Sequence, residues 1–272
     1  MTDANIATAP PVRVELEAGV LRVTLNRPAK RNALDNASWD ALGMAFGERA
    51  HQDDVRCVVL RGEGSTFCAG LDRSVLFSLG SGPGGGEDIR THGPMLQAVV
   101  DSIAECPRPT LAVVQGACVG GGTAIMLACD LRIAAADAFF AMMEMRYAFL
   151  PDLGHVHRLQ REVGMARAKE FLYTGERADA ATLERWGVLN EVVPLGELDA
   201  AAARWEERLR QAPPLAVRAV KAVLHAHPGG IDGAASQRGA LEANAAGLIG
   251  SEDFKEGIAA SLENRAPSFT GH

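Results

Sequence analysis

The sequence predicts an α/β fold: a spiral of stacked β-β-α turns closed by a C-terminal helical region. Three observations lead there. A short apolar strand, a glycine-rich turn and a helix follow one another at Leu60–Asp72, and the same succession returns at Val113–Asp130, which suits a repeated unit better than an open nucleotide-binding sheet. Beyond residue 197 the chain reads as one helix after another. Its 272 residues, 47% of them hydrophobic, suffice for one large core.

Residues 1–11 are a polar, proline-ended segment that reads as a mobile tail. Val12, Val14 and Leu16 alternate, Glu17-Ala18-Gly19 turns, and Leu21, Val23 and Leu25 alternate again, which predicts a hairpin ended by Arg27-Pro28. Lys30 and Arg31 lie in the following loop, either as solvated charges or as an anion contact, ahead of a helix carrying Trp39, Leu42 and Phe46 at helical spacing. Cys57–Leu60 is a buried strand entering the first glycine turn, Gly62–Asp72. A helix over Asp72–Leu79 follows, then Gly80–Gly86, which reads as a flap. Gly80, Gly82 and Gly85 match a dinucleotide fingerprint only formally, because no strand precedes them and Pro83 interrupts. A long helix from about Glu87 to Cys106 leads to the strand Leu111–Val114 and the run Gly116–Asp130, and Leu131–Ala134 is the next strand. A helix ends near Tyr173, a short unit covers Ala178–Trp186, and Gly187–Pro194 closes the core, taken as residues 12–197. Residues 198–272 form the helical region, with helices over Leu198–Gln211, Pro214–His225, Ile231–Ile249 and Glu252–Glu263. The third is rich in alanine and glycine and suits packing against other helices, including those of another subunit.

Composition narrows the function. A formal charge of −7 with no Lys/Arg block argues against a nucleic-acid surface. No apolar run reaches the roughly twenty residues of a membrane span. The five cysteines, Cys57, Cys68, Cys106, Cys118 and Cys129, lack metal-ligand spacing and a secreted-domain framework, so they are expected reduced and the protein cytoplasmic. Cys68 is expected to be a buried small residue, since no motif supplies it with a base.

Gly120-Gly121-Gly122 should stand at a helix N-terminus, where unpaired N–H groups meet the positive end of a dipole. Such a turn is either an oxyanion cradle or a device for close packing. Glu144 sits among methionines and aromatics, which would raise a carboxyl pKa toward the range useful for proton transfer. Neutralisation by Arg146, or solvation, is its alternative. Asp152, after Pro151 and before a helix, is placed to cap it. His155 and His157, two apart, do not share a helical face, which argues against a metal site.

Taken together, Arg27-Pro-Ala-Lys-Arg-Asn-Ala-Leu34, Phe67-Cys-Ala-Gly-Leu-Asp72, Gly116–Asp130, Leu150-Pro-Asp-Leu-Gly154, Thr174-Gly175, Gly187–Pro194, Phe254-Lys-Glu-Gly257 and Pro267-Ser-Phe269 resemble, in order and spacing, the crotonase or enoyl-CoA hydratase/isomerase superfamily. The resemblance implies an acyl-CoA thioester whose carbonyl oxygen is held by the N–H groups of Leu71 and Gly121, stabilising an enolate. It implies that Ala29, Lys30, Arg31, Ala69, Asp72 and Gly120, with Leu71, Gly121 and Glu144, line the acyl-CoA site. Coenzyme A is then part of the substrate and no separate cofactor is expected. It further implies a trimer or a pair of trimers.

The departures bear on the reaction. Family hydratases carry a glutamate where this chain has Ala124, and retain the one matching Glu144. Asp152 replaces a hydratase glycine, whereas dienoyl-CoA isomerases, epoxyphenylacetyl-CoA isomerases and a chlorobenzoyl-CoA dehalogenase have a functional aspartate there. The dienoyl-CoA isomerases pair it with a glutamate matching Glu144, although their third acidic residue is again Ala124 here, while the dehalogenase has tryptophan at the position of Glu144. The expected activity is therefore double-bond isomerisation of an enoyl- or dienoyl-CoA, with Glu144 moving the proton and Asp152 as partner. A hydratase using both acids, and a silent acyl-CoA binder, are the alternatives. His155 replaces a family glycine and either narrows the pocket or adds a polar group.

Overall fold

The computed structural model describes residues 9–75, 86–151, 153–225, 239, 241–245 and 247–272. The mixed α/β architecture expected from sequence is present, and its strands fall into two sheets. The hairpin β1 (Val12–Glu17) and β2 (Val20–Leu25) is joined by β3 (Cys57–Gly62), β4 (Thr110–Val114), β6 (Leu131–Ala135) and β9 (Glu191–Val193), in the order β1-β2-β3-β4-β6-β9. Only the hairpin is antiparallel; every later pairing in this sheet is parallel. The second sheet is small: β5 (Ala117–Val119), β7 (Phe139–Ala141) and β8 (Ala178–Asp179). Each of the pairs β4–β5 and β6–β7 turns a corner from the large sheet to the small one and is followed by a helix, which makes the β-β-α turn of the spiral. In the preceding turn the second strand shrinks to a single bridge, Cys68 to Cys118.

Central strands are apolar at nearly every position because both faces of the large sheet are covered. Val58, Leu60, Ala112 and Val114 face a core shared with Trp39, Leu42 and Phe46 of α1 (Asn36–Gly47) and with α3 (Gly121–Ala128). Their neighbours Cys57, Val59, Leu111 and Val113 face the other way, against Leu198, Ala201 and Ala202 of α6 (Leu198–Gln211). Asp35 caps α1 by accepting the Ser38 amide at 2.9 Å. The long helix α2 spans Gly86–Ala104.

Some details differ from expectation. Ala178–Asp179 is a strand, antiparallel to β7, and helix α5 (Ala180–Arg185) begins only after it; two residues carry no periodicity, so only pairing with a distant strand defines them. Helix α4 (His155–Thr174) is two helical pieces joined at Gly164, whose φ of 74° and ψ of 170° leave the helical region. Pro10 and Pro11, the end of the expected tail, accept hydrogen bonds from Asn26. Of the helix expected over Asp72–Leu79, residues 73–75 are helical and the remainder lies outside the described residues, as do residues 80–85 of the expected flap. Helices α7 (Pro214–His225) and α8 (Glu252–Glu263) stand where the periodicity put them. The expected helix over Ile231–Ile249 lies largely outside the described residues, with residues 241–245 and 247–249 helical. Among the described residues no helix is long and apolar enough to cross a membrane.

Candidate active site

The first glycine turn is held from two sides. Phe67 and Cys68 donate their amides to Gln115 and Ala117, at 2.8 and 3.0 Å, and Cys68 accepts the amide of Val119 at 3.0 Å. On the opposite side Leu34 donates to Gly70 at 2.8 Å and accepts from Asp72 at 2.9 Å, a parallel bridge between Leu34 and Leu71. In such a bridge the residue flanked by the bonded groups turns its own N–H the other way. Leu71 N–H therefore points away from Leu34, toward the second glycine turn.

That second turn brings β5 into α3. Gly120 has φ +51° and ψ −122°, conformations closed to residues with a side chain, and donates to Ala141 at 3.0 Å. Gly121 is the first residue of α3, so its N–H has no acceptor one turn earlier in the helix. The two turns lie side by side: a Cβ placed on Gly121 would be 3.8 Å from Leu71 N, and one placed on Gly70 would be 3.6 Å from Gly121 N. Leu34 Cδ1 and Trp39 Cζ2, 3.7 and 3.5 Å from the Gly121 Cβ position, form an apolar wall beside the amides. Sequence spacing marks Trp39 only as a helix-face residue and Leu34 only as the end of a family motif, so the wall itself has no sequence signal.

Glu144 approaches from a third direction. It lies in a 3-10 turn, Met143–Tyr147, directly after β7. A Cβ on Gly120 would stand 2.9 Å from Glu144 Oε1, so glycine at 120 both permits the turn and admits the carboxylate. Oε2 is shielded from solvent. Main-chain amides from two bends and one carboxylate thus share a small region. A carbonyl oxygen between the amides would be polarised, and a carboxylate beside it can move a proton at the neighbouring carbon. Ala124, in α3, is buried in the core and has no group that transfers a proton.

His155 belongs to this region too. It is fully buried, and its Nε2 lies 3.0 Å from the carbonyl oxygen of Gly120. A carbonyl only accepts, so Nε2 carries the proton. Burial lowers the His155 pKa to about 4 and keeps the ring neutral. Asp152, the other expected acid, lies outside the described residues; the N-cap position of α4 is held by Gly154.

The loop expected to meet coenzyme A abuts the first turn. Ala29 and Lys30 lie in the 3-10 turn Pro28–Lys30, Arg31 follows with φ +51°, and all three are exposed. Ala69 donates its amide to Arg31 at 3.0 Å. Asp72 is occupied: it accepts Ser74 N–H and hydroxyl and pairs with Arg27 at 3.0 Å, and the Ser74 amide, then Arg27, hold its carboxyl below the usual range. Arg27 also pairs with Asp35 at 3.1 Å. Asn32 staples the loop to the turn, accepting Arg27 N–H at 2.9 Å and donating to Glu63 and Thr66 at 3.0 and 2.6 Å. Its φ is +55°, a conformation asparagine tolerates better than other side chains, so the residue type itself was the available signal.

All five cysteines are buried free thiols, and burial pushes Cys68 up to about 12, which removes it as a nucleophile.

A sequence model of the family described as enoyl-CoA hydratase/isomerase matches residues 15–272. The chain is 37% identical over 269 residues to a Rhodobacter capsulatus protein named "Probable enoyl-CoA hydratase", with 96% of this chain and 98% of the other covered. It is 31% identical over 282 residues to the peroxisomal Delta(3,5)-Delta(2,4)-dienoyl-CoA isomerase of Arabidopsis thaliana, covering 99% of both chains. Among solved structures, an enoyl-CoA hydratase from Bacillus anthracis superposes with a TM-score of 0.87 at 31% identity, covering 96% of this chain and 100% of that one.

Proposed function

We infer the reaction from one premise: this chain belongs to the enoyl-CoA hydratase/isomerase family and has the crotonase fold. We propose that it moves the double bond of an enoyl- or dienoyl-CoA. The observation supporting this reading is that the Leu71 and Gly121 amide nitrogens lie side by side while Glu144 lies against Gly120 and Ala124 offers no second carboxylate. Glu144 removes a proton from Cα. The C–H electron pair passes into the thioester as a dienolate whose oxygen is held by the two amides, and the proton returns at Cγ, or further along a dienoyl chain. Nothing is oxidised and no water is consumed. Asp152 is the proposed partner acid. Ala29, Lys30, Arg31, Ala69 and Asp72 are assigned to the coenzyme A side, with the cations toward its phosphates. Coenzyme A arrives with the substrate, and no further cofactor enters.

The test presents conjugated, non-conjugated and dienoyl thioesters to the parent and to Glu144→Gln and Asp152→Asn. Isomerisation should be fastest, and both variants should slow it. A hydratase using Glu144 and Asp152 is favoured by the names of the Rhodobacter and Bacillus relatives, and fastest hydration of a simple conjugated thioester would establish it instead. A silent binder would bind acyl-CoA without exchanging the α-hydrogen for deuterium.

Assembly as a trimer or a pair of trimers is part of the proposal. It is supported by the exposed Leu224, Leu241, Ile249, Ile258 and Leu262 of the C-terminal region, and light scattering on the purified protein checks it. The buried free thiols support a reducing compartment such as the cytoplasm.

A further inference from the structure

The peptide joining Gly120 to Gly121 has two ends with different tasks. Its N–H is one of the two amides assigned to the thioester oxygen. Its carbonyl accepts Thr123 N–H at 2.8 Å, Thr123 Oγ1–H at 2.6 Å, Ala124 N–H at 3.2 Å and His155 Nε2–H at 3.0 Å. The first and third of these are what any helix start supplies. Those from Thr123 Oγ1 and His155 are side-chain additions, and His155 reaches this oxygen from α4, 35 residues away in sequence.

Hydrogen bonds to a carbonyl draw electron density from the amide nitrogen of the same peptide and make its N–H a stronger donor. Burial matters here. His155 has no exposed surface, and its Nδ1 is buried without a hydrogen-bond partner among the described residues. Among the described residues the ring makes its one hydrogen bond to a carbonyl already bonded three times, a placement that stability alone does not call for.

We propose that His155 is a positioning residue of the oxyanion hole: by donating to Gly120 O it orients and polarises the Gly120–Gly121 peptide, strengthening Gly121 N–H as a donor to the thioester oxygen. This rests on the function proposed above. Thr123 Oγ1 acts on the same oxygen in the same sense. Because burial lowers its pKa, the ring is neutral at working pH and its donor stays on Nε2.

The experiment uses hexadienoyl-CoA carrying ¹³C at the thioester carbonyl, bound to the full-length parent and to His155→Met, His155→Gln and Thr123→Val. Isotope-edited infrared difference spectra read the carbonyl stretch. Near-ultraviolet circular dichroism verifies folding. The parent should lower the stretch on binding. His155→Met, which keeps bulk and loses the donor, should lose part of that shift, and His155→Gln, whose Nε2 can reach the same oxygen, should recover it. Strengthening of about 10–30% per bond, acting on a donor worth roughly 10²–10³ in rate, predicts a kcat loss of about two- to eightfold in His155→Met with KM unchanged. If His155→Met fails to fold, Thr123→Val should show the same partial loss and His155→Gln the parental shift. A shift that is parental in folded His155→Met, or lost in folded His155→Gln, overturns the inference alone. A parent that binds hexadienoyl-CoA without any shift overturns the oxyanion reading, and this inference with it.

Discussion

Adding one methyl group at Gly121 or at Gly122 should separate packing from chemistry within a single helical turn. A Cβ on Gly122 would stand 2.7 Å from Cys68 Cβ and 2.8 Å from Cys68 O. Neither atom can retreat, because Cys68 is bonded on both sides, from its amide to Ala117 O and from Val119 N to its carbonyl, each at 3.0 Å. Overpacking of this kind costs about 1–3 kcal/mol, and replacing a helical glycine by alanine returns only about 0.5–1 kcal/mol. The net loss, about 0–2.5 kcal/mol, lowers Tm by up to about 10 °C for a chain of this size. At Gly121 the same methyl meets Trp39, Leu34 and Leu71 N at 3.5–3.8 Å, ordinary contact distances, so stability should stay within about 0.5 kcal/mol of the parent. That methyl stands beside the space between the two amides. Losing one oxyanion donor costs about 10²–10³ in kcat, and Gly121→Ala should lose a comparable factor while melting like the parent. Differential scanning calorimetry at one protomer concentration, with α-hydrogen exchange on an acyl-CoA, measures both quantities. A Gly122→Ala protein that melts above the parent would refute the packing argument; a Gly121→Ala protein with parental turnover would refute the chemical one.

Glu144→Gln should cut α-hydrogen exchange by about 10²–10⁴-fold while acyl-CoA affinity, measured by calorimetric titration, stays close to parental. His155 predicts acid sensitivity. Its folded pKa is about 4 against 6.5 in the unfolded chain, so between those values the unfolded state binds more protons and stability falls as the pH drops from 6.5 toward 4. The loss amounts to about 3 kcal/mol at most, and urea titrations across this window should show a flatter profile in His155→Met. Lys221, buried in α7, donates to Asp130 at 2.7 Å, and Asp130 also accepts the amide and hydroxyl of Thr110. Lys221→Met should cost about 1.5–3 kcal/mol, the worth of a hydrogen bond between charged groups, read as a lower urea midpoint with an unchanged slope.

Much of this molecule was legible from sequence because local patterns carry it. The two strands of the hairpin, the spacing of Trp39, Leu42 and Phe46, and the two glycine turns reappear, although Val14 is exposed where the alternation placed it on the buried face. So do the C-terminal helices α6, α7 and α8. Each element advertises itself within a few residues, through the period of its buried face or through a backbone conformation that only glycine adopts. The candidate acid Glu144 was visible for the same reason, as a carboxylate set among apolar neighbours.

Other features have no local signature. Residues Ala178–Asp179 become a strand only when β7 lies beside them. Asn32 ties loop to turn across 34 residues, and Arg27 holds Asp72 and Asp35 together. His155 read from sequence as either narrowing the pocket or adding a polar group, and its contact with Gly120 O depends on how α4 packs against α3. Residue order and composition were enough to name the strands, the helices and the glycines that would present bare amides. That the amide nitrogens of Leu71 and Gly121 lie side by side, with Glu144 against Gly120, depended on folding, because it follows from distances between segments that the chain's one-dimensional order does not contain.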